Sequence, residues 1–171
     1  MTLSDLASIG NIVAAIAVVM SLVYLSRQVG QANLIAKSNV RQRMVEQTHE
    51  ELYQLVNDPE LREAWRRSVT LSGETQSKLA FFLAAAMRQR EWEWFQYKDG
   101  IIDQDTYCAY HQVITFHLGA PRTRNWWATV GRLGFDTDFV AEVDALLANS
   151  PLTDDYFDKI RSFDPANRDL G

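Results

Sequence analysis

From Leu6 to Ser26 the chain carries no charged side chain, and the run closes at Arg27. Its 21 residues, at about 1.5 Å of helical rise each, span about 30 Å, the thickness of a bilayer's hydrocarbon core. The pattern predicts a membrane-spanning helix within residues 1–27, with a buried amphipathic core helix as the alternative. Polar and charged residues then alternate with an apolar stripe through Leu34, Val45, Thr48, Leu52 and Leu55, mostly at spacings of three, four and seven. Without a proline before Pro59, this predicts a juxtamembrane helix over 28–57 that continues the first without a break.

Asp58-Pro59 ends that helix and begins a short one over 59–69 that holds Trp65. Ser72, Gly73 and Glu74 read as a loop, after which Thr75 or Ser77 caps a long helix over 76–98. Its core candidates are Leu79, Phe82, Leu83, Ala86, Met87, Trp94 and Tyr97. Asp99-Gly100 ends it, with Gly100 expected in the left-handed conformation. Asp103 caps a helix reaching Leu118, and Gly119 with Pro121 separates it from another over 122–132. After Gly134, Asp136 or Thr137 caps a helix with Phe139, Val140, Val143, Leu146 and Leu147 on one face. Ser150-Pro151 closes it, a last short helix is expected over 154–163, and a polar tail covers 164–171.

No long stretch alternates with period two, so the fold class is all-α: one transmembrane helix continuing into a helical-bundle soluble domain over 58–163. The 47% of apolar and 23% of charged residues are globular proportions, and one domain with one core fits the length beyond the anchor.

A cleaved signal would carry a basic start, a shorter apolar stretch and a small-x-small cleavage site, and this start has none of them. Downstream, Arg27, Lys37, Arg41 and Arg43 form a basic collar free of acids, so the positive-inside bias turns the body to the cytoplasm and the N-terminus outward. The same collar suits anionic lipid, whereas the net charge of -5 disfavours nucleic acid. Cys108 is the lone cysteine, which excludes an intrachain disulfide. Within the anchor, Ala7, Gly10, Ala14, Ala17 and Ser21 recur at spacings of three and four. They offer a small face on which helices can pack closely, and Asn11 beside it can add an interhelical hydrogen bond.

Candidate chemistry is sparse. Glu46 and His49 have the Glu-x-x-His spacing of di-iron bundles, but no second copy accompanies them, and Glu91 and Glu93 read as solvated helix positions. Cys108 and His111 lack the second pair a closed zinc site needs, while His111 and His117 lie too far round a helix to converge on one atom. No Gly-x-Ser-x-Gly elbow or phosphate-cradling glycine loop occurs. The densest feature is Glu91-Trp92-Glu93-Trp94-Phe95-Gln96-Tyr97, whose acids can pair with Arg88, Arg90, Arg122 or Arg124. It reads either as aromatic core or, with Phe82, Trp126 and Trp127, as a pocket in which Phe82, Trp92, Trp94, Trp126 and Trp127 meet an apolar ligand or a partner.

The anchor segment Ile16 to Leu25, the Gln-rich helix after it, the Trp92 to Gly100 segment and an ending built on Trp126-Trp127, Phe135, Phe139-Val140, Val143-Asp144 and Leu146-Leu147 form a pattern. It resembles a family of uncharacterised small bacterial proteins with one N-terminal transmembrane helix and a cytoplasmic helical domain. The resemblance implies an inner-membrane location and this architecture; it carries no established activity, so no catalytic residue is transferred. The functional expectation is a non-enzymatic protein without cofactor or metal. Its partners are the bilayer and either itself or another membrane subunit, with a membrane-tethered sensor or carrier of an apolar ligand as the alternative.

Overall fold

The computed structural model describes residues 3–65 and 70–152, apart from the side chains of residues 5 and 6. The end of the helix expected over 59–69, the helix expected over 154–163 and the tail over 164–171 lie outside the described residues. Within them the chain is all-α, with no strand. The long helix α1 (Leu3–Asn57) is followed by α2 (Pro59–Trp65), α3 (Gly73–Lys98), α4 (Gln104–His111), α5 (Val113–Leu118), α6 (Pro121–Thr129), a 3-10 turn (Gly131–Gly134) and α7 (Thr137–Ala148).

The chain divides into two units, one ending at Gln42 and one beginning at Arg43, a boundary inside the juxtamembrane helix expected over 28–57. Among the described residues the first unit is helix alone. Its apolar side chains from Ile9 to Leu25 are exposed on all sides. The second unit holds the core. In α1 the inward positions are Met44, Thr48, Glu51 and Leu55, whereas Leu34, Val45 and Leu52 of the expected stripe are exposed. The correction has a simple cause: the segment carries two apolar stripes, and period alone does not say which one meets a partner within the domain.

Local chemistry sets the helix ends. Asp58 Oδ1 accepts from Leu61 N at 2.9 Å to cap α2, and Arg62 donates to the carbonyls of Leu55 and Val56 at the end of α1. Helix α3 starts at Gly73, earlier than expected, because Ser72 has the extended backbone of a cap and its Oγ accepts from Thr75 N at 3.1 Å. The alternative caps are engaged elsewhere, Thr75 Oγ1 with Glu60 and Ser77 Oγ with Gly73 O. Gly100 has φ of 71°, the left-handed conformation expected of it.

The helix expected from Asp103 to Leu118 is broken at Gln112. The β-branched run Val113-Ile114-Thr115 is stiff, and Thr115 Oγ1 takes the Gln112 carbonyl at 2.7 Å. Helix α6 starts at Pro121 and stops at Thr129, short of Arg132. The chain tightens there because Trp126 lies over Gly131, where an added Cβ would meet its ring at 2.7 Å. Asp136, rather than Thr137, caps α7 by accepting from Asp138 N and Phe139 N.

The core has two aromatic foci. Trp65 lies 5.6 Å from Phe82 and 5.3 Å from Phe116, joining α2, α3 and α5 among Leu55, Leu61, Leu79 and Leu83. The other focus gathers Trp94, Trp127, Phe135 and Phe139 from α3, α6 and α7. Each large apolar side chain taken fully out of water contributes about 1.5–3 kcal/mol.

Candidate functional site

Helix α3 carries its core face through Leu83, Met87, Arg90 and Trp94, which puts a guanidinium in an apolar stripe. Arg90 and Glu93 side chains are 1% and 2% exposed, and Nη1 of the arginine stands 3.2 Å from Glu93 Oε2. Arg90 Nη2 donates to Glu51 Oε1 of α1 at 3.2 Å, and Gln89 Nε2 donates to Glu93 Oε1 at 3.2 Å. His117 of α5 completes the cluster, with Nε2 3.5 Å from Glu51 Oε2. Both His117 ring nitrogens and Arg90 Nε are buried without a hydrogen-bond partner. Burial drives the Glu93 carboxyl up to about 7 against the lowering effects of Arg90 and Gln89, with Glu51 adding to the rise. The cluster thus sets two carboxylates, a guanidinium and an imidazole between three helices.

A second polar network joins α3, α4 and α7. Trp94 Nε1 donates to Glu142 Oε2 at 2.7 Å, and Tyr107 Oη donates to Glu142 Oε1 at 2.5 Å. The His111 Nδ1 lies 2.9 Å from Tyr107 Oη, which suits an Nδ1–H donor because the phenol proton is given to Glu142. Burial, followed by the bond to Glu142, raises the Tyr107 pKa, so the phenol stays protonated. Burial lowers that of His111, opposed by the Glu142 charge. Tyr97 stacks on Tyr107 at 4.4 Å and 4°. The phenol is a hydrogen-bond donor here, and the network ties α3, α4 and α7 together.

A cleft of about 660 Å³ lies in the second unit and is lined by Leu71, Leu79, Leu83, Trp126 and Val130, with Gln76 and Asn125 among its polar side chains. Of the five aromatics expected to share a pocket, Trp126 alone lines it. Phe82 belongs to the Trp65 focus, and Trp94 and Trp127 belong to the Phe139 focus. Trp92 is half-buried, with the Arg43 guanidinium 5.9 Å from its ring. The correction follows from helix geometry: neighbouring residues point about 100° apart, so Trp92 and Trp94, like Trp126 and Trp127, are sent to different places.

Ala7, Gly10, Asn11, Ala14, Ala17 and Ser21 are all exposed on α1, with Ser21 Oγ donating to Ala17 O at 2.8 Å. Arg27, Lys37, Arg41 and Arg43 of the basic collar are exposed as well. Glu46 and His49 lie on the surface of α1, and Cys108 is exposed. Glu91 and Glu93, read as solvated, are buried: Glu91 pairs with Arg88 and accepts from Asp136 N at 2.6 Å. Arg122 donates to the Ala64 carbonyl, and Arg124 donates to the carbonyls of Leu118 and Ser150. Among the described residues no group of three His, Cys, Asp or Glu side chains could hold a metal ion. The pairing of Glu91 and Glu93 with Arg88 and Arg90 was expected from the sequence, whereas Glu51, Tyr107 and Glu142 were missed, as was the burial of Arg90, for which the signal was its position in the apolar stripe of α3.

No protein-family model, curated protein or solved structure matches this chain.

Proposed function

We propose that this protein is a non-enzymatic, single-span protein of the bacterial inner membrane whose cytoplasmic helical domain mediates assembly, either as a homo-oligomer or as an accessory subunit of a larger membrane complex. The observation that carries this reading is the first stretch of α1. An 18-residue window there has mean hydropathy 2.1 and is 0% buried. A helix whose apolar side chains are exposed on every side suits an apolar medium, and lipid supplies one. The basic collar downstream orients the body to the cytoplasm, and the resemblance noted above points the same way. The network of Trp94, Tyr107, His111 and Glu142 supports the non-enzymatic part, because its donors and acceptors are directed at one another between packed helices.

Alkaline carbonate extraction of membranes carrying the full chain tests the anchor. Retention in the pellet is expected, and release into the supernatant overturns the reading. Native mass spectrometry after gentle extraction tests assembly: a discrete multimer or a co-purifying subunit is expected, and a bare monomer contradicts it.

The cleft beside Trp126 favours a second reading, a membrane-tethered carrier or sensor of an apolar ligand. Its volume of about 660 Å³ is in the range of small-molecule sites. Trp emission titrated with a medium-chain fatty acid tests it, with saturable quenching that Trp126→Ala removes as the supporting outcome and no saturable change as the opposing one.

A further inference from the structure

We propose that Glu93 is a pH-operated competitor for Arg90: while neutral it leaves the guanidinium to Glu51 of α1, and as a carboxylate it draws Arg90 back to α3 and loosens the grip of α3 and α5 on residues 43–57. The inference concerns the second unit alone and stands whether or not the anchor and assembly readings do.

The side chains are placed for such a contest. Of the inward positions Met44, Thr48, Glu51 and Leu55, only Glu51 carries charge, and the Thr48 hydroxyl is spent on the Met44 carbonyl of its own helix. Glu51 is therefore the charged point at which α3 and α5 hold this stretch of α1. Its Oε1 accepts from Arg90 Nη2 at 3.2 Å, and its Oε2 lies 3.5 Å from His117 Nε2. Glu93, three residues on from Arg90 in α3, brings Oε2 to 3.2 Å from Arg90 Nη1, yet Nη1 has no hydrogen-bond partner in the protein. The guanidinium is thus bonded to one carboxyl and stands beside the other. That arrangement suits a charged Glu51 and a neutral Glu93, because a carboxylate so close would take the idle N–H in a charge-assisted bond.

The surroundings make the charge on Glu93 decisive. Burial pushes its carboxyl up to about 7, against Arg90 and Gln89, with Glu51 adding to the rise. The groups facing it are Arg90 and Gln89 from α3, Glu51 from α1 and, through Glu51, His117 from α5. Other charges nearby are engaged: Arg88 with Glu91, Arg43 over the Trp92 ring, and Tyr107, His111 and Glu142 with one another and with Trp94. From α2 the cluster meets the uncharged Trp65 ring, 6.1 Å from His117. One guanidinium therefore serves two carboxyls, and in the interior it compensates only one negative charge. When Glu93 loses its proton, one carboxylate has to go back to water. Glu51 is the one that can, since its side chain is 15% exposed against 2% for Glu93. The raised value belongs to the held state, so the grip is strongest at low pH and weakens as pH rises through about 7.

Hydrogen exchange of the full chain in mild detergent, resolved by peptide and corrected for intrinsic rates, tests the proposal. Residues 43–57 are expected to be less protected than α7 at every pH, the mark of an opening that leaves the rest folded. Between about pH 5.5 and about pH 8 their protection is expected to fall on the order of tenfold. Glu93→Gln keeps the shape and has no proton to lose, so it is expected to hold the low-pH protection throughout. Glu51→Gln separates competition for Arg90 from the burial of an acid: it is expected to lower the protection and to abolish its pH response, whereas burial of Glu93 alone would leave that response in place. The proposal is overturned by protection of 43–57 equal to that of α7 at every pH, by protection that does not change with pH, as when His117 takes up the compensating proton, or by a pH response that survives in either variant.

Discussion

Trp94 Nε1 donates a 2.7 Å hydrogen bond to Glu142 Oε2, although the two residues lie 48 apart in the chain. The same carboxylate accepts from Tyr107 Oη, so one side chain of α7 satisfies donors from α3 and α4. Replacing Glu142 with Leu leaves both donors without their acceptor at a cost of about 1–3 kcal/mol for each buried group. Urea unfolding of the full chain in mild detergent, followed by Trp emission, should show a loss of that order. Tyr107→Phe, which removes one donor and keeps the ring, should cost about 1 kcal/mol.

Glu93 makes stability fall with rising pH. Its folded pKa of about 7 exceeds the ordinary 4.5, so between those values the folded chain holds a proton that the unfolded chain has released. Over that window Glu93 subtracts on the order of 3 kcal/mol. The variant Glu93→Gln should flatten the decline between about pH 4.5 and 7. An unchanged pH slope of the unfolding free energy would contradict the assignment. Asp58 and Glu60 act in the opposite sense: their bonds to Lys78 and, for Glu60, to Thr75 lower their pKa values, so their contribution disappears as pH falls through the acid range.

Gly131 is required by close approach. An added Cβ would stand 2.7 Å from the Trp126 ring, so Gly131→Ala must displace the indole or the 3-10 turn, at about 1–3 kcal/mol. Its Trp emission should shift. Gly134→Ala, whose Cβ would meet only Arg88 Nη2 at 3.8 Å, should leave both stability and emission near those of the parent.

Burial separates two aromatic substitutions of similar chemistry. Trp127 is 1% exposed and donates to Asp144 Oδ1 at 2.9 Å, so Trp127→Ala should cost about 3–5 kcal/mol in the same urea experiment. Phe81 is 76% exposed, and Phe81→Ala should change stability by no more than about 0.5 kcal/mol.

The Ser72 cap offers a local check. Ser72→Ala should cost about 1 kcal/mol, whereas Ser77→Ala, at a site expected from sequence to compete as the cap, should cost little.

Four of the caps and turns and the apolar run were legible because their causes are local, whereas the Ser72 cap and the break at Gln112 were not. Asp58-Pro59, Gly100, Asp103 and Asp136 each act on backbone within four residues, and the uncharged run from Leu6 to Ser26 identifies itself by length and composition. All-α architecture follows from the same short-range signals. Tertiary structure decided which side of each helix is inside. It turned Met44 and Leu55 inward and left Val45 and Leu52 exposed, because the choice depends on the faces that α2 and α3 present. It also decided the polar sites. Arg90 meets Glu51 from 39 residues away and Tyr107 meets Glu142 from 35, and neither pair has a sequence spacing that foretells it. Local periodicity says that a helix has faces; only the packing of one helix against another says which charge must be neutralised there, and by what.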